Sequence, residues 1–191
     1  MDPPAPRHPA PARAARSSTE AGQDVEVRPS RIEGLGVFAG RAFRAGERIR
    51  RIHVIREVTA EAPLREDLGE RQDHCDYPDG RVILLGFPDR HTNHSCDPSA
   101  WVLYEGEGAW LVARRDIAAG SEITCDYGIN VTGGSSWPCR CGAARCRGTV
   151  TGDFFSLPAD IQREYRPLLA DWFVRRHADR VALLDSQVTS P

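Results

Sequence analysis

Apolar and polar residues alternate in short runs along the middle of the chain. Between residues 49 and 58 apolar residues partly alternate with Arg, His and Glu, with the period of two that is typical of a half-buried β-strand. SAWVLYE and AWLVARR, joined by Gly106-Glu107-Gly108, predict a β-hairpin. Shorter apolar runs at 37–39 and in RVILLG (81–86) predict two more buried strands. The pattern therefore predicts a body of many short strands.

Two segments of the chain share one pattern of apolar residues and glycine. RAFRAGERI (41–49) and RDIAAGSEI (115–123) both read R-x-apolar-x-A-G-x-x-I. In each, the glycine supplies an unstrained positive-φ turn between two extended pieces. The shared pattern is too short to indicate a duplicated domain.

The pattern changes once within the strand-rich body and again after it. Residues 59–80 are charged and irregular, which indicates an insertion or a short, poorly defined helix. From Leu157 onward apolar residues recur at helical spacing, with Ser156 as the predicted N-cap and Pro167 as the division between two helices. The aromatic residues of this tail are predicted to pack in a core. The fold class predicted is α+β, predominantly β.

The first residues of the chain, 1–24, predict a disordered leader. MDPPAPRHPAPARAARSSTEAG has no apolar run, so it does not read as a secretory signal. Its Arg, Ala and Ser resemble a transit peptide, but Asp2, Glu20 and the early prolines argue against one. Ordered sequence is predicted to begin near Val25, and residues 186–191 are predicted to be a disordered tail.

Length and charge exclude several classes of protein. A chain of 191 residues is long enough for one domain with a core. A net charge of -2 and a pI near 6.3 argue against a general nucleic-acid binder. No stretch approaches the ~20 apolar residues that span a bilayer. We therefore expect a cytoplasmic protein, monomeric, without direct nucleic-acid binding and without a membrane partner.

Every one of the 25 basic residues is arginine, and the chain contains no lysine. Ala, Arg, Gly and Pro are abundant, which indicates a GC-rich coding sequence and suggests a bacterial source.

Three cysteines lie close together in WPCRCGAARCRG (137–148), namely Cys139, Cys141 and Cys146. A closed zinc site has four ligands, so a fourth is expected elsewhere. Clustered thiols without a signal peptide favour metal over disulfides, and C-x-C-x4-C is not the C-x-x-C of a redox protein. Cys96, in the loop sequence TNHSCDPSAW, is the candidate for the fourth ligand. Cys75 and Cys125 are predicted to be ordinary buried thiols.

Four motifs in order resemble a known family. RIEGLGVFAG (31–40), NHSCDP (93–98), ARRDIAAGSEITCDYG (113–128) and CRCGAARCRG (139–148) are similar to a SET domain followed by its post-SET zinc motif. The resemblance implies several small β-sheets around a knot-like crossing, where residues 93–96 thread with the segment at Tyr127. It implies a small, bacterial-type enzyme that uses S-adenosylmethionine to methylate lysine in a protein substrate.

The resemblance also implies how the chain is divided and how zinc is bound. The SET domain would span 25–130, the post-SET zinc segment 131–152 and a C-terminal helical extension 153–185. One structural Zn²⁺ would be held by four thiolates, those of Cys96, Cys139, Cys141 and Cys146. Such a site contributes folding energy directly, and here it would hold the tail against the body.

Several residues match the family's functional positions. Tyr127 would be the catalytic tyrosine, with its hydroxyl where sulfur, methyl and nitrogen align, and it would also contact the cofactor. Asn93 and His94 would bind the cofactor, and Gly34 and Gly36 would let the backbone approach it closely. Two further aromatic residues either cover the adenine or pack in the core, Phe154 or Phe155.

The sequence departs from the family pattern at three positions. His91 stands where Phe is usual, Ser99 replaces an Asn, and Cys125 replaces a Phe or Tyr. The first two bear on cofactor geometry, and we place Cys125 and His91 in the substrate channel. Cysteine is small and a weak donor, so we predict transfer of two or three methyl groups. His91 or Tyr77 filling the space beside Cys125 is the alternative.

Two functions are compatible with these motifs. The first is a zinc-bearing protein-lysine methyltransferase whose partner is a protein that presents a lysine. The second is a catalytically inactive SET fold that acts as a zinc-stabilised interaction module. In either case the enzyme cannot methylate itself on lysine, because it has none.

Overall fold

The computed structural model describes residues 24–106 and 108–186. The rest of the predicted leader and tail lies outside these residues. The strands are β1 Val25–Pro29, β2 Leu35–Ala39, β3 Arg48–Arg51, β4 Val54–Val58, β5 Cys75–Asp76, β6 Val82–Leu85, β7 Asn93–His94, β8 Ala100–Glu105, β9 Gly108–Ala113, β10 Glu122–Cys125, β11 Ser136–Pro138 and β12 Thr149–Thr151. The α-helices are α1 Ala159–Tyr165, α2 Asp171–Arg176 and α3 Ala178–Ser186.

A four-stranded sheet in the order β1-β2-β10-β7 carries the segments that matter most for function. β1 and β2 form an antiparallel pair, and β10 pairs antiparallel with β2 through Ile123 and Val37. The short strand β7 runs parallel to β10, with Cys125 opposite His94. Residues 93–96 and the segment at Tyr127 therefore lie side by side, as the resemblance implies.

Three smaller sheets complete the strand-rich body, in the orders β3-β9-β8, β4-β6-β5 and β11-β12. The predicted hairpin is confirmed as β8 and β9, with Ala100 opposite Ala113. The predicted strand region 49–58 is divided between β3 and β4, which belong to different sheets. The predicted α+β, mainly β, class is confirmed.

The two segments with the shared R-x-apolar-x-A-G-x-x-I pattern pair with each other. Phe43 and Ile117 form an antiparallel bridge with reciprocal N–H···O bonds of 2.9 Å. Gly46 and Gly120 have φ of 81° and 79°, which confirms the predicted turns. Both Phe43 and Ile117 are buried in the main core, which also contains Val37, Leu111 and Ile123.

The charged segment 59–80 forms three short 3-10 turns and the two-residue strand β5. The turns are Glu66–Leu68, Gln72–His74 and Pro78–Gly80. The structure of this segment therefore agrees better with the predicted irregular insertion than with a single short helix.

The C-terminal extension differs from its prediction in two ways. It contains three α-helices, and Pro167 lies in a 3-10 turn, Arg166–Leu168, between the first two. Ser156 does not cap α1, because Pro158 occupies the N-cap and the Ser156 hydroxyl bonds Asp153 at 3.1 Å. The Asp153 carboxylate instead accepts from the Phe155 N–H at 3.0 Å and caps the preceding turn.

Within the described residues the helices form a second core. Nine residues are buried there: Phe154, Leu157, Ile161, Tyr165, Leu169, Ala170, Phe173, Val181 and Leu184. This confirms the prediction that the aromatic residues of the tail pack together. Among the described residues, none of the helices has the length and apolar character needed to cross a membrane.

Candidate functional site

A cleft of about 1530 Å³ lies where the sheets meet the C-terminal segments. Its wall includes most of the residues predicted to be functional: Gly34, His91, Asn93, His94, Cys125 and Tyr127. The volume exceeds the ~300–1,000 Å³ of a typical small-molecule pocket, so the cleft has room for a cofactor and a substrate side chain together.

Tyr127 follows β10 and projects into this cleft. Its hydroxyl donates to the Thr92 carbonyl at 2.7 Å, and its ring lies 5.3 Å from that of His94 and 6.5 Å from that of Trp137. The residue is 39% exposed, yet desolvation within the cleft, followed by the nearby Cys125, raises the pKa of Tyr127. The hydroxyl therefore stays protonated near neutral pH and acts as a donor.

His94 is buried and links Tyr127 to the cysteine cluster. Its Nδ1 accepts from the Tyr127 N–H at 3.2 Å, and its Nε2 lies 3.4 Å from Cys96 Sγ. Desolvation, partly opposed by Asp126, lowers the pKa of His94 to about 4. A neutral imidazole that accepts at Nδ1 carries its proton on Nε2, so the ring donates toward Cys96.

Asn93 holds the glycine-containing loop at the other end of the cleft. Its side-chain amide donates to the carbonyls of Glu33 and Leu35, at 3.1 Å and 3.0 Å, and to Glu122 Oε1 at 2.9 Å. Gly34, with φ of 45°, faces open space. Asn93 thus fixes the loop in the shape that leaves this space free.

The side chain of Glu122 leaves no room for a Cβ atom at Gly36. A Cβ on Gly36 would lie 2.3 Å from Glu122 Oε1, and the same carboxylate accepts from the Ser30 hydroxyl at 2.8 Å and 2.9 Å. Gly36 is not part of the cleft wall, so its lack of a side chain serves the packing behind the loop.

The four predicted zinc ligands come together. The sulfur atoms of Cys96, Cys139, Cys141 and Cys146 all lie within 4.8 Å of one another, a group that can hold a metal ion. Cys96 Sγ is 3.7 Å from Cys139 Sγ, and tetrahedral zinc with ~2.3 Å bonds spaces its sulfurs ~3.8 Å apart. β11 and β12 pair at the base of this loop, where the Cys139 N–H donates to the Gly148 carbonyl at 3.0 Å.

Backbone N–H groups point at these sulfurs, which fits thiolates. Cys96 N–H approaches Cys141 Sγ at 3.5 Å, Cys141 N–H approaches Cys139 Sγ at 3.4 Å, and Gly148 N–H approaches Cys146 Sγ at 3.4 Å. Desolvation raises the pKa of Cys96 and Cys139 where no metal is bound, whereas the N–H donors outweigh desolvation at Cys141 and lower its pKa to about 7. The donor set therefore suits a soft divalent metal.

The SET domain family matches residues 34–128 of the chain. The chain belongs to the SET-domain family. The segment matched ends just after Tyr127 and contains the glycine loop, β7 and β10, which are the elements that form the cleft.

Relatives of this SET domain are named as histone-lysine methyltransferases. The chain is 31% identical over 143 residues to "Histone-lysine N-methyltransferase, H3 lysine-36 specific" of Debaryomyces hansenii, over 64% of this chain and 18% of that one. It is 34% identical over 145 residues to the protein of the same name in Cryptococcus neoformans, over 68% of this chain and 17% of that one. It is 30% identical over 138 residues to "Histone-lysine N-methyltransferase TRX1" of Oryza sativa, over 63% and 13%. In these relatives the chain thus spans less than a fifth of the length.

Cys125 and His91, which were predicted to lie in a substrate channel, both line the cleft. Cys125 is buried on the cleft wall, and desolvation, followed by the charge of Asp76, raises its pKa. His91 also lines the cleft and accepts from Arg90 Nε at 3.2 Å. Desolvation and then Arg90 lower the pKa of His91 to about 4, so this imidazole is neutral near pH 7. Its ring centroid lies 6.0 Å from those of Phe87 and His74.

Ser99, the third departure from the family pattern, lies away from the cleft wall. Its hydroxyl donates to the Glu122 carbonyl at 3.3 Å and accepts from the Thr124 N–H at 3.0 Å. It therefore fastens the start of β8 to β10.

The observed burial decides two other predictions, one for Phe154 and Phe155 and one for Cys75 and Cys125. Phe154 is completely buried in the helical core, and Phe155 stacks on Phe173 with Arg180 over its ring; neither lines the cleft. Cys125 is buried as predicted, but Cys75 is only partly buried and lies on the cleft wall, so the prediction for Cys75 is wrong.

Sequence reasoning missed Glu122 and Trp137. A charged residue at the start of the otherwise apolar β10 was a usable signal for Glu122. Trp137 is 45% exposed and lines the cleft beside Tyr127. It stands two residues before the first clustered cysteine, but no spacing rule assigns it a role.

Proposed function

We propose that the chain is an S-adenosylmethionine-dependent methyltransferase that acts on the ε-amine of lysine in a protein substrate. The observation that carries the proposal is the position of the Tyr127 hydroxyl. It donates to the Thr92 carbonyl at 2.7 Å, in the cleft that Gly34 and Cys125 also line. This arrangement supports a transfer between two ligands that enter the cleft separately.

The residues around Gly34 suit the cofactor. The cofactor supplies an electrophilic methyl group on a cationic sulfonium. Gly34 leaves open space beside the loop, and Asn93 and Glu122 hold that loop in place. His94 supports Tyr127 from behind, through the Tyr127 N–H.

The protonated Tyr127 hydroxyl orients the reacting groups. Its bond to the Thr92 carbonyl fixes the ring, so the oxygen can accept from an amine while its proton stays engaged. The rings of Trp137 and Tyr127 lie 6.5 Å apart on the cleft wall and supply apolar surface for a substrate side chain. Desolvation lowers the pKa of an amine, and holding it in line lowers the barrier further.

We also propose that the four-cysteine group holds structural zinc. The spacing of the sulfurs and their N–H donors support this assignment. The Arg147 guanidinium, next to Cys146, lies 2.7 Å from buried Asp126, which precedes Tyr127. Metal binding would thus hold Arg147 near the catalytic strand.

Tyr127→Phe tests the proposed function. The substitution keeps the ring and removes the hydroxyl, so we expect methyl transfer to fall at least ~100-fold, while cofactor affinity changes much less. The measurement is mass spectrometry of a peptide library incubated with labelled S-adenosylmethionine. Tyr77→Phe is the matched control, because Tyr77 lines the same cleft but its hydroxyl bonds Gln72.

Three outcomes would contradict parts of the proposal. Near-normal turnover of Tyr127→Phe would place the reaction elsewhere. Label on arginine would change the substrate class. A zinc-loaded wild type that transfers no methyl group to any lysine would favour the inactive interaction module.

A further inference from the structure

Asp76 is a carboxylate on the cleft wall that lacks a cationic partner. Asp89 lies 3.0 Å from Arg50, Asp126 lies 2.7 Å from Arg147, and Glu70 pairs with Arg56 and Arg65. Among residues 24–106 and 108–186, no Arg or His forms an ion pair with Asp76. Desolvation raises the pKa of Asp76, against the hydrogen bonds that it accepts.

The arginines of the same cleft do not supply the missing charge. Arg71 pairs with Asp73 at 2.9 Å, Arg81 with Glu57 at 3.7 Å and Arg176 with Asp79 at 2.8 Å. Arg90 donates to His91, and Arg140 pairs with Glu33. Four of these arginines pair with another carboxylate and Arg90 bonds the neutral His91, and none of the five forms an ion pair with Asp76.

Two hydrogen bonds fix the Asp76 carboxylate. The Tyr104 hydroxyl donates to Oδ2 at 2.7 Å, and the Tyr77 N–H donates to Oδ1 at 2.8 Å. Tyr104 in turn packs edge-on against Trp172 of α2, with ring centroids 6.0 Å apart. Each carboxylate oxygen retains a lone pair for another donor. The carboxylate is therefore held in one position and can still accept further hydrogen bonds.

Asp76, Tyr104 and Cys125 lie on the wall of the same cleft, and Cys125 precedes Tyr127 by two residues. The charge of Asp76 adds to desolvation in raising the pKa of Cys125, which agrees with this common location. Cysteine is smaller than the Phe or Tyr usual at position 125 and is only a weak donor. An aliphatic ammonium is small, has N–H donors and carries the charge that Asp76 lacks.

We propose that Asp76, held by Tyr104, receives the cationic amine of the substrate side chain beside Cys125 and positions it in the channel. This inference rests on the proposed function. Because a carboxylate stabilises an ammonium before reaction, Asp76 acts mainly on substrate binding and less on the chemical step. The C-terminal helices take part indirectly, since Trp172 supports Tyr104.

Asp76→Asn tests this role because it keeps the shape and the acceptor for Tyr104, removes the charge and gives up only the exposed bond from the Tyr77 N–H. Loss of a charged hydrogen bond should raise KM for a lysine peptide at least ~10-fold, while kcat changes by less than ~3-fold, the pattern for lost ground-state binding. Tyr104→Phe, which only loosens the carboxylate, should raise KM about fivefold. Asp67→Asn, on the exposed Glu66–Leu68 turn, is the matched control and should change nothing.

A binding measurement separates this inference from the proposed function. NMR titration of the zinc-loaded wild type with n-butylammonium chloride should shift resonances of Tyr104 and Cys125, and n-butanol should bind more weakly. Asp76→Asn should abolish the preference for the cation, with zinc content and melting temperature unchanged.

The outcomes are distinct. An unchanged KM and an unchanged preference for n-butylammonium in Asp76→Asn would overturn the inference and leave the function standing. A parallel fall in melting temperature and zinc content would show a structural role instead. A wild type that binds n-butylammonium at Asp76 but methylates no lysine would overturn the function alone.

Discussion

Two segments border the cleft on its C-terminal side, and they are held in place by different means. The cysteine wall, residues 136–151, contributes Trp137 to the cleft and buries a single described side chain, Val150. The helical wall, residues 154–186, contributes Trp172 and buries nine residues in its own core. Apolar burial therefore accounts for the order of the helical wall, whereas the cysteine wall depends on hydrogen bonds and on the proposed metal site.

The two walls meet at Asp126, immediately before Tyr127. Asp126 lies 2.7 Å from Arg147 of the cysteine wall and accepts from the Tyr165 hydroxyl of the helical wall at 3.2 Å. On the surface, Arg145 and Glu164 join the same two walls at 2.6 Å. The segment at Tyr127 is thus supported from both sides, and each support can be removed separately.

Removing a zinc ligand should give the largest effect. Structural zinc contributes ~10–16 kcal/mol in small zinc domains, and the cysteine wall has little else to hold it. We expect Cys96→Ser to lose metal about as fully as Cys141→Ser, and residues 136–151 to exchange amide hydrogen rapidly. The helical wall should keep its protection.

Metal analysis with hydrogen-exchange mass spectrometry measures both effects. Cys75→Ser, a thiol outside the four-cysteine group, is the control and should retain one zinc per chain. Full zinc retention in Cys96→Ser would show that the fourth ligand is wrongly assigned.

Phe173→Ala should damage the helical wall and spare the zinc. Phe173 is buried and packs against Phe154, Phe155 and His177. Truncation of a buried Phe costs ~3–5 kcal/mol, which urea denaturation would detect. Leu183→Ala, at a side chain that is 63% exposed, is the control. If the zinc content fell with the stability, the two walls would be one cooperative unit and the comparison would fail.

Tyr165→Phe should give the smallest effect of the three. It keeps the buried ring and removes only the hydroxyl that bonds Asp126. One such bond contributes ~1 kcal/mol, measurable as a shift in the urea midpoint at constant slope. A loss as large as that of Phe173→Ala would mean that Asp126, rather than apolar burial, holds the helical wall.

Local sequence patterns correctly predicted the elements whose conformation is set by residues adjacent in the sequence. The hairpin β8–β9 and the turns at Gly46 and Gly120 follow from alternation and from glycine's positive φ. The cap at Ser156 was wrong because α1 begins two residues later than predicted, with Pro158 at its N-cap position, and Ser156 belongs to the preceding 3-10 turn that Asp153 caps. Helical periodicity locates a helix but leaves its first residue uncertain.

The site was predictable only where spacing or resemblance carried it. Three clustered cysteines predicted a metal group, and Cys96 completes it from a distant loop. Asp76 could not be found, because a charge among the charged residues of 59–80 reads as solvated. Its importance arises from the cleft that residues distant in sequence build around it.

The pairing of β2 with β10 also determines how long one edge of β2 stays unpaired while the chain is being synthesised. Phe38 lies opposite Glu122, so β2 leaves the ribosome 84 residues before its partner (122 − 38). At about 5–20 residues per second, the apolar strand LGVFA waits roughly 4–17 s with one edge unpaired. A newly made chain is therefore most exposed to aggregation during those seconds, and chaperones that cover extended apolar segments should raise its yield during cell-free synthesis.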